Sequence, residues 1–201
     1  MYHIYHTEGI ILGSRNFGET EKYYYIFTRD LGMIYASAQG VRKMSSKLRY
    51  ILQDFSYVKI DLVKGKEFWR VTSASKTNRL EQLVKKPETL EVVANITRLL
   101  KRLLTGEYPN ETLFADLIDG LSILEKVERE EPIRQLAGGD LQSIEIIIVL
   151  RILNNLGYIG GSQKLDTFVK SPFEKELVLE VSKSRREILN QINKALKETH
   201  L

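Results

Sequence analysis

Between Arg42 and Arg49 the chain places four cations, Arg42, Lys43, Lys47 and Arg49, with Ser45 and Ser46 among them and no acid. Ammonium and guanidinium groups at this density suit successive phosphates of a polyanion, because each contact releases condensed counterions. The plain alternative is a solvated loop. The other ingredient of a grip on single strands is an aromatic face, since every base can stack on one. Tyr23, Tyr24 and Tyr25 are consecutive, so on a strand at least one ring points outward whichever face is core. Tyr35 and Trp69 are further candidates. If Tyr23, Tyr25 and Phe27 fill the core, then Lys22, Tyr24, Ile26 and Thr28 face out. That face mixes a cation with a ring and makes Tyr24 the expected base platform.

The remaining residues with chemistry in them do not assemble into a site. The histidines stand at 3, 6 and 200, and on a strand the spacing of His3 and His6 sends them to opposite faces. Glu19 and Glu21 are paired carboxylates in a turn, suited to capping or a salt bridge, with no nucleophile or base to join them. "LAGGD" (136–140) and "LGYIGGS" (156–162) lack the Lys-Ser/Thr of a phosphate loop and follow no strand, so they read as helix stops and starts. The chain has no cysteine, which removes disulfides, thiolate nucleophiles and sulfur-ligated metals. No catalytic residue, metal or cofactor is expected, and the chain reads as a binding protein, not an enzyme.

The elements that must position these residues fall into two halves. From residue 4 to about 76, "IYHTEGIILGSR", "EKYYYIFTRD", "GMIYASAQGV", "FSYVKIDLVKG" and "KEFWRVTSAS" are rich in β-branched and aromatic residues and are separated by turn signals. In "YVKIDLV", Val58, Ile60 and Leu62 share one face, opposite Tyr57, Lys59, Asp61 and Val63. Five strands in about 75 residues suit a small closed barrel, which has no exposed edge. "SSKLRYILQ" adds one or two helical turns between strands three and four, as in the five-stranded OB-fold. After about residue 78 the period becomes helical. "PETLEVVANITRLLKRLLTG" carries a stripe of Leu90, Val93, Ile96, Leu100 and Leu103, with Pro87 in its first turn. "NETLFADLIDGLSILEKV" repeats the pattern at Leu113, Leu117, Leu121 and Leu124. "DLQSIEIIIVLRILNNLG" runs from an N-cap at Asp140 to a C′ glycine at Gly157 and is apolar on nearly every side, as a buried central helix is. A last helix is expected from about Ser184. The expectation is an α+β chain, with an OB-fold nucleic-acid-binding domain at 1–79 and an all-α domain at 80–201.

Hydrophobic residues make up 43% and charged residues 28% of the 201, the balance of a globular protein. The longest apolar runs, such as "IIIVL" at 146–150, are too short to span a bilayer, and the N-terminus has no signal-peptide pattern. A cytoplasmic, nucleoid-associated location is the expectation. The net charge of +4 hides an asymmetry: residues 1–80 hold thirteen Lys and Arg against seven Asp and Glu, while the rest is slightly acidic. A positive potential concentrated on one module points to an anionic partner.

Residues 9–55 carry an ordered set of features that resembles the start of the RecO family of bacterial recombination mediators. The family's G-I-V-L strand is matched by Gly9 to Leu12, its R-x-x-G-E by Arg15, Gly18 and Glu19, and the following acid by Glu21. Its F-T falls at Phe27 and Thr28, with a glycine at Gly32. Its A-x-G-x-R is Ala38, Gly40 and Arg42, and its S-x-L and L-Q-x-F are Ser46, Leu48, Leu52, Gln53 and Phe55. "LRILNNLGYIGG" at 150–161 is similar to the family's helical F-x-L-x-L-L-x-x-L-G-Y segment. The resemblance implies an OB-fold followed by helices, binding of single- and double-stranded DNA, strand annealing, and work with RecR and single-strand-binding protein to load recombinase. It brings Arg15 into the expected contact set beside Lys22, Tyr24, Arg42, Lys43, Lys47 and Arg49. Many relatives follow L-G-Y with four zinc-binding cysteines. This chain has "SQKLDTFVKSPF" there and is shorter, so a member without a zinc finger is implied. Two rival readings share the same features: a protein–protein adaptor whose basic patch meets an acidic partner tail, and a generic OB-fold RNA binder, since the fold does not choose the polymer.

Overall fold

The computed structural model describes residues 3–77, 79, 80, 83, 85–128, 139–160 and 163–198. The glycine-containing stretches at 136–138 and 161–162 and His200, singled out above, lie outside the described residues. Strands β1 (Ile4–Phe17), β2 (Glu21–Thr28), β3 (Gly32–Ala38), β4 (Tyr57–Lys64) and β5 (Trp69–Lys76) close into a barrel in the order β1-β2-β3-β5-β4. Every pairing is antiparallel except β3 with β5, which is parallel. A single helical turn, α1 (Leu48–Ile51), falls between β3 and β4. This is the five-stranded OB-fold expected from the strand periods. β1 serves two neighbours, β4 along Ile4–Ile10 and β2 along Gly9–Phe17, with a bulge between Ile11 and Gly13 that helps it bend around the barrel.

The barrel interior is filled by Ile11, Tyr24, Ile26, Ile34, Ala36, Val58, Ile60, Leu62, Trp69 and Val71. The alternation read in β4 holds, with Val58, Ile60 and Leu62 inside. In β2 the faces are the reverse of the expectation, because Tyr24 and Ile26 point in. "YYYIF" gives no alternation because both of its faces are covered. On the outer face Ile10 pairs with Phe27 on one side and Tyr57 on the other. The Phe114 ring lies 5.5 Å from Phe27 and 6.1 Å from Tyr57.

Phe114 belongs with the barrel by contact density. One compact unit comprises Met1–Glu81 and Lys101–Phe114, and the other Gln82–Leu100 and Ala115–Leu201. Within the first unit the stretch around Gly106 is tied across the barrel. Met33 donates its amide to the Gly106 carbonyl at 3.2 Å. Glu107 accepts from Lys64 Nζ and Trp69 Nε1, each at 2.8 Å. Gly32 has φ +73°, and a Cβ there would run into the backbone of Tyr108, so glycine is needed twice over at this turn.

The helices are α2 (Pro87–Leu103), α3 (Glu111–Glu128), α4 (Gly139–Asn155), α5 (Gln163–Lys170) and α6 (Lys175–Glu198). α2 buries Val92, Val93, Ile96 and Leu100, whereas Leu90, expected in the stripe, is 39% exposed. α3 buries the four expected leucines, and Asn110 Oδ1 caps its N-terminus by accepting from Leu113 N–H at 2.9 Å. α4 is the buried centre of its unit, apolar on nearly all sides. It ends as expected at Gly157, φ +77°. Tyr158 N–H bonds to Leu153 O at 2.9 Å and Gly157 N–H to Asn154 O at 3.0 Å, the two bonds of a Schellman cap.

Two helical features differ from the expectation. α5 was not anticipated, and the last helix begins at Lys175, well before Ser184. "ELVLEV" alternates like a strand, yet Leu177, Val178 and Val181 continue the buried stripe of Ile188, Ile192 and Ala195. Packing on α4 overrides the β-branched preference. No described helix is long and apolar enough to cross a membrane.

Candidate nucleic-acid interface

The DLG turn between β2 and β3 sets a hairpin register in which Thr28 faces Gly32 and Tyr25 faces Tyr35. That register carries Tyr23, Tyr25 and Tyr35 to the outside of the barrel, where their rings form one surface. Tyr23 and Tyr35 are stacked at 5.0 Å and 11°, and Tyr25 leans on Tyr35 at 5.0 Å. Phe17, at the end of β1, meets Tyr23 edge-on at 4.8 Å. Phe68, from the β4–β5 loop, meets it at 5.0 Å from another side. Phe17 and Tyr25 remain 53% and 39% exposed, so each offers ring surface to solvent.

Cations are threaded through these rings. Arg15, opposite Tyr23 in the β1–β2 pairing, holds its guanidinium carbon 5.6 Å from the Tyr23 centroid and 5.1 Å from that of Tyr35. Lys101 places Nζ 6.0 Å from the Tyr25 centroid. Each such contact is worth about 0.5–1 kcal/mol at an exposed site and fixes a positive charge beside a stacking surface. Burial pushes the Tyr35 phenol above its ordinary pKa, and Arg15 beside it opposes part of that rise. Lys66 and Arg70 flank Phe68 and stay exposed.

The basic loop adjoins this surface through the β1–β2 turn. Arg42 donates its amide to Thr20 O at 3.0 Å and a guanidinium N–H to Gly18 O at 2.7 Å, clamping the loop after β3 onto that turn. Lys43 and Lys47 are exposed and make no ion pair with an acid among the described residues. Arg49 lies against Met44 Sδ at 2.8 Å and over the Tyr50 ring at 5.7 Å. Tyr50 and Met44 are themselves exposed. Arg15, Arg42, Lys43, Lys47 and Arg49 of the expected set therefore lie on one connected stretch of surface. Lys22 is half-buried at the edge of that stretch, on the Tyr24 side of β2.

Tyr24 does not belong to it. At 1% exposure the ring is a core side chain with no face left for a base, and burial, followed by the charge of Asp54, pushes its phenol up to about 12. Trp69 is likewise in the core at 2% exposure, its indole N–H spent on Glu107. The rings that do offer an open face are Tyr25 and Phe17, packed on Tyr23, Tyr35 and Phe68. The signal for them was present in "GMIYASA": Ile34, Ala36 and Ala38 make an apolar face, so Tyr35 lies opposite it, and the short turn puts Tyr25 beside Tyr35.

His6 meets Asp61 at 2.7 Å and His3 packs edge-on against Tyr5. A thiolate zinc tetrad does not fit this chain, which has no cysteine and builds the helix α5 after the "LGY" segment. The helical unit holds a groove of about 360 Å³ lined by Leu99, Ile146, Val149, Leu189, Ile192 and Leu196, with Glu145 and Arg185 beside them. Burial raises the Glu145 carboxyl above its ordinary pKa, with a hydrogen bond from Asn95 acting against that rise.

The family model described as Recombination protein O N terminal matches residues 1–79. A DNA repair protein RecO from Pelotomaculum thermopropionicum is 29% identical over 155 residues, covering 77% of this chain and 56% of that protein. One from Alkaliphilus metalliredigens is 32% identical over 124 residues, covering 62% and 50%. One from Caldanaerobacter subterraneus is 23% identical over 165 residues, covering 82% and 66%. The chain spans about half the length of the curated relatives it matches first.

Proposed function

We propose that this chain, whose residues 1–79 match the family model of the Recombination protein O N terminus, is a RecO-family DNA repair and recombination mediator that binds single strands, anneals complementary ones, and helps load recombinase with RecR on strands coated by single-strand-binding protein. The observation that carries the proposal is the outward ring cluster of Tyr25, Phe17, Tyr23 and Tyr35, threaded by Arg15 and joined to the four-cation loop by the Arg42–Gly18 bond. Rings take base faces and cations take phosphates, so neither occupies the Watson–Crick edge of a base. Strands held in this way are concentrated while their bases stay free to pair, which is what annealing needs. Phosphate contacts position a strand without reading its sequence.

A protein-docking role beside this one is favoured by the groove of the helical unit. Its walls of Leu99, Ile146, Val149, Leu189, Ile192 and Leu196 suit a peptide carrying apolar side chains. Fluorescence anisotropy with single-stranded DNA, duplex DNA and RNA across a salt series, run beside an annealing assay, tests the proposal. It predicts sequence-tolerant, salt-steep binding of single strands and faster pairing of complementary ones. Tight binding of RNA alone would favour the RNA-binding reading. Binding of acidic peptides with no nucleic-acid affinity would favour the adaptor.

A further inference from the structure

The barrel carries a second cationic surface at the other end of β5. A cleft of about 510 Å³ is lined by Glu8, Arg29, Tyr57, Lys59, Ser75, Lys76, Thr77 and Arg79, four cations against one carboxylate. That carboxylate is already committed: Glu8 Oε2 accepts from the Tyr57 phenol at 2.7 Å and pairs with Arg29 at 2.8 Å. Lys59 and Lys76 stand on neighbouring strands one residue out of register, exposed and with no ion pair among the described residues. The cleft thus keeps a net positive charge after its internal pair is counted. Its walls are polar, and the cations spread over the turn after β2 (Arg29), β4 (Lys59), the end of β5 (Lys76) and the segment after it (Arg79) instead of converging on one point. This arrangement suits an extended run of phosphates better than a compact anion.

The two cationic surfaces are well separated. Phe68 adjoins the first and Lys76 lines the second. Eight residues of strand at about 3.3 Å each place them roughly 25 Å apart. We propose that the Lys59–Lys76 cleft is a second phosphodiester-binding site, so that one barrel holds two strands at once, one on the ring face and one in the cleft. The idea rests on the first surface binding nucleic acid, and it supplies the second backbone that annealing requires. A single strand wrapping both surfaces, or an acidic peptide in the cleft, would be a different arrangement, and the experiment separates them.

The test uses the full chain, thymidine homopolymers of about 8 nucleotides, within the range one OB-fold covers, and native mass spectrometry to count strands per chain. Homopolymers of one base cannot pair, so stoichiometry reports sites alone. The parent should bind two strands, Lys59→Ala/Lys76→Ala one, and the four-alanine variant at 42, 43, 47 and 49 also one. Anisotropy should show the double variant keeping first-strand affinity and salt slope. In the parent, second-strand binding should carry about 1.4 units of slope from these two lysines, close to a sevenfold difference between 50 and 200 mM salt, and in the double variant that second binding should be lost. Unchanged melting of the double variant shows that the fold is intact. The inference is overturned if the parent binds one strand, if the double variant still binds two, or if the double variant weakens the first strand as much as the second. It is also overturned if polyglutamate displaces nothing but the second ligand and binds there more tightly than the homopolymer. A parent that binds no strand at all would instead sink the reading of the ring face itself.

Discussion

Replacing Tyr24 and Tyr25, adjacent in sequence, should have opposite consequences. Tyr24 is 1% exposed inside the barrel, so Tyr24→Ala opens a cavity the size of a ring and should cost about 3–5 kcal/mol of stability. For a chain of this length that corresponds to a fall in Tm of roughly 6–20 °C. Tyr25 is 39% exposed, and its contacts are one neighbouring ring and a cation. Tyr25→Ala should therefore stay within about 1 kcal/mol of the parent in stability. Its effect belongs to binding: one lost stacked base at about 1–3 kcal/mol weakens single-strand affinity some 5- to 150-fold. The salt slope should not change, because stacking releases no counterions. Chemical denaturation and anisotropy on the same two preparations measure both quantities. The reasoning is refuted if Tyr24→Ala melts like the parent while losing DNA affinity, or if Tyr25→Ala binds like the parent.

Glu107→Ala removes the acceptor of Lys64 and of the chain's single tryptophan. Trp69 fluorescence should shift and become more open to quenching, and unchanged emission would contradict the clamp. The phenols of Tyr24 and Tyr57 are pushed up to about 12, by burial first in both cases. Raised folded-state values mean that their contribution to stability is complete below about pH 10 and disappears as pH rises toward 12. Alkaline titration should show the barrel losing stability across that window while these two phenols resist ionisation. Phenolate absorbance that rises fully near pH 10 before any unfolding would contradict it. Because the chain has no cysteine to form a zinc tetrad, a strong chelator should leave Tm unchanged. A drop reversed by zinc would show a metal site elsewhere.

The barrel and the order of its elements were legible because strand and helix periods differ and each turn carries its own residues. β4 shows why: Val58, Ile60 and Leu62 alternate with polar neighbours, so one face is plainly core. β2 was not legible in the same way. Its outer face is covered too, at one end by Phe68 and Phe17 and at the other by Phe114, so apolar residues occupy both parities. Only the pairing with β3 settles the orientation, and pairing is tertiary information unless the turn register is followed through. The association of 101–114 with the barrel was also hidden. It depends on the Glu107 and Phe114 contacts, long-range in sequence and marked by no motif. The basic loop, by contrast, could be read directly, since four cations within eight residues and no acid among them need no fold to be noticed. Its attachment to the ring face, through Arg42 and Gly18, came only with the structure.

The central claim is that single strands are held by their phosphates on the loop from Arg42 to Arg49, beside the ring face. The most direct measurement is the log–log salt dependence of single-strand affinity for the parent and for the variant with alanine at 42, 43, 47 and 49. Four phosphate contacts contribute a slope of about −0.7 each, roughly −3 together. The account predicts that the variant loses about that much slope, binds every sequence more weakly by a similar factor, and melts like the parent. A variant with the parent's slope and affinity at about 0.15 M salt would contradict it.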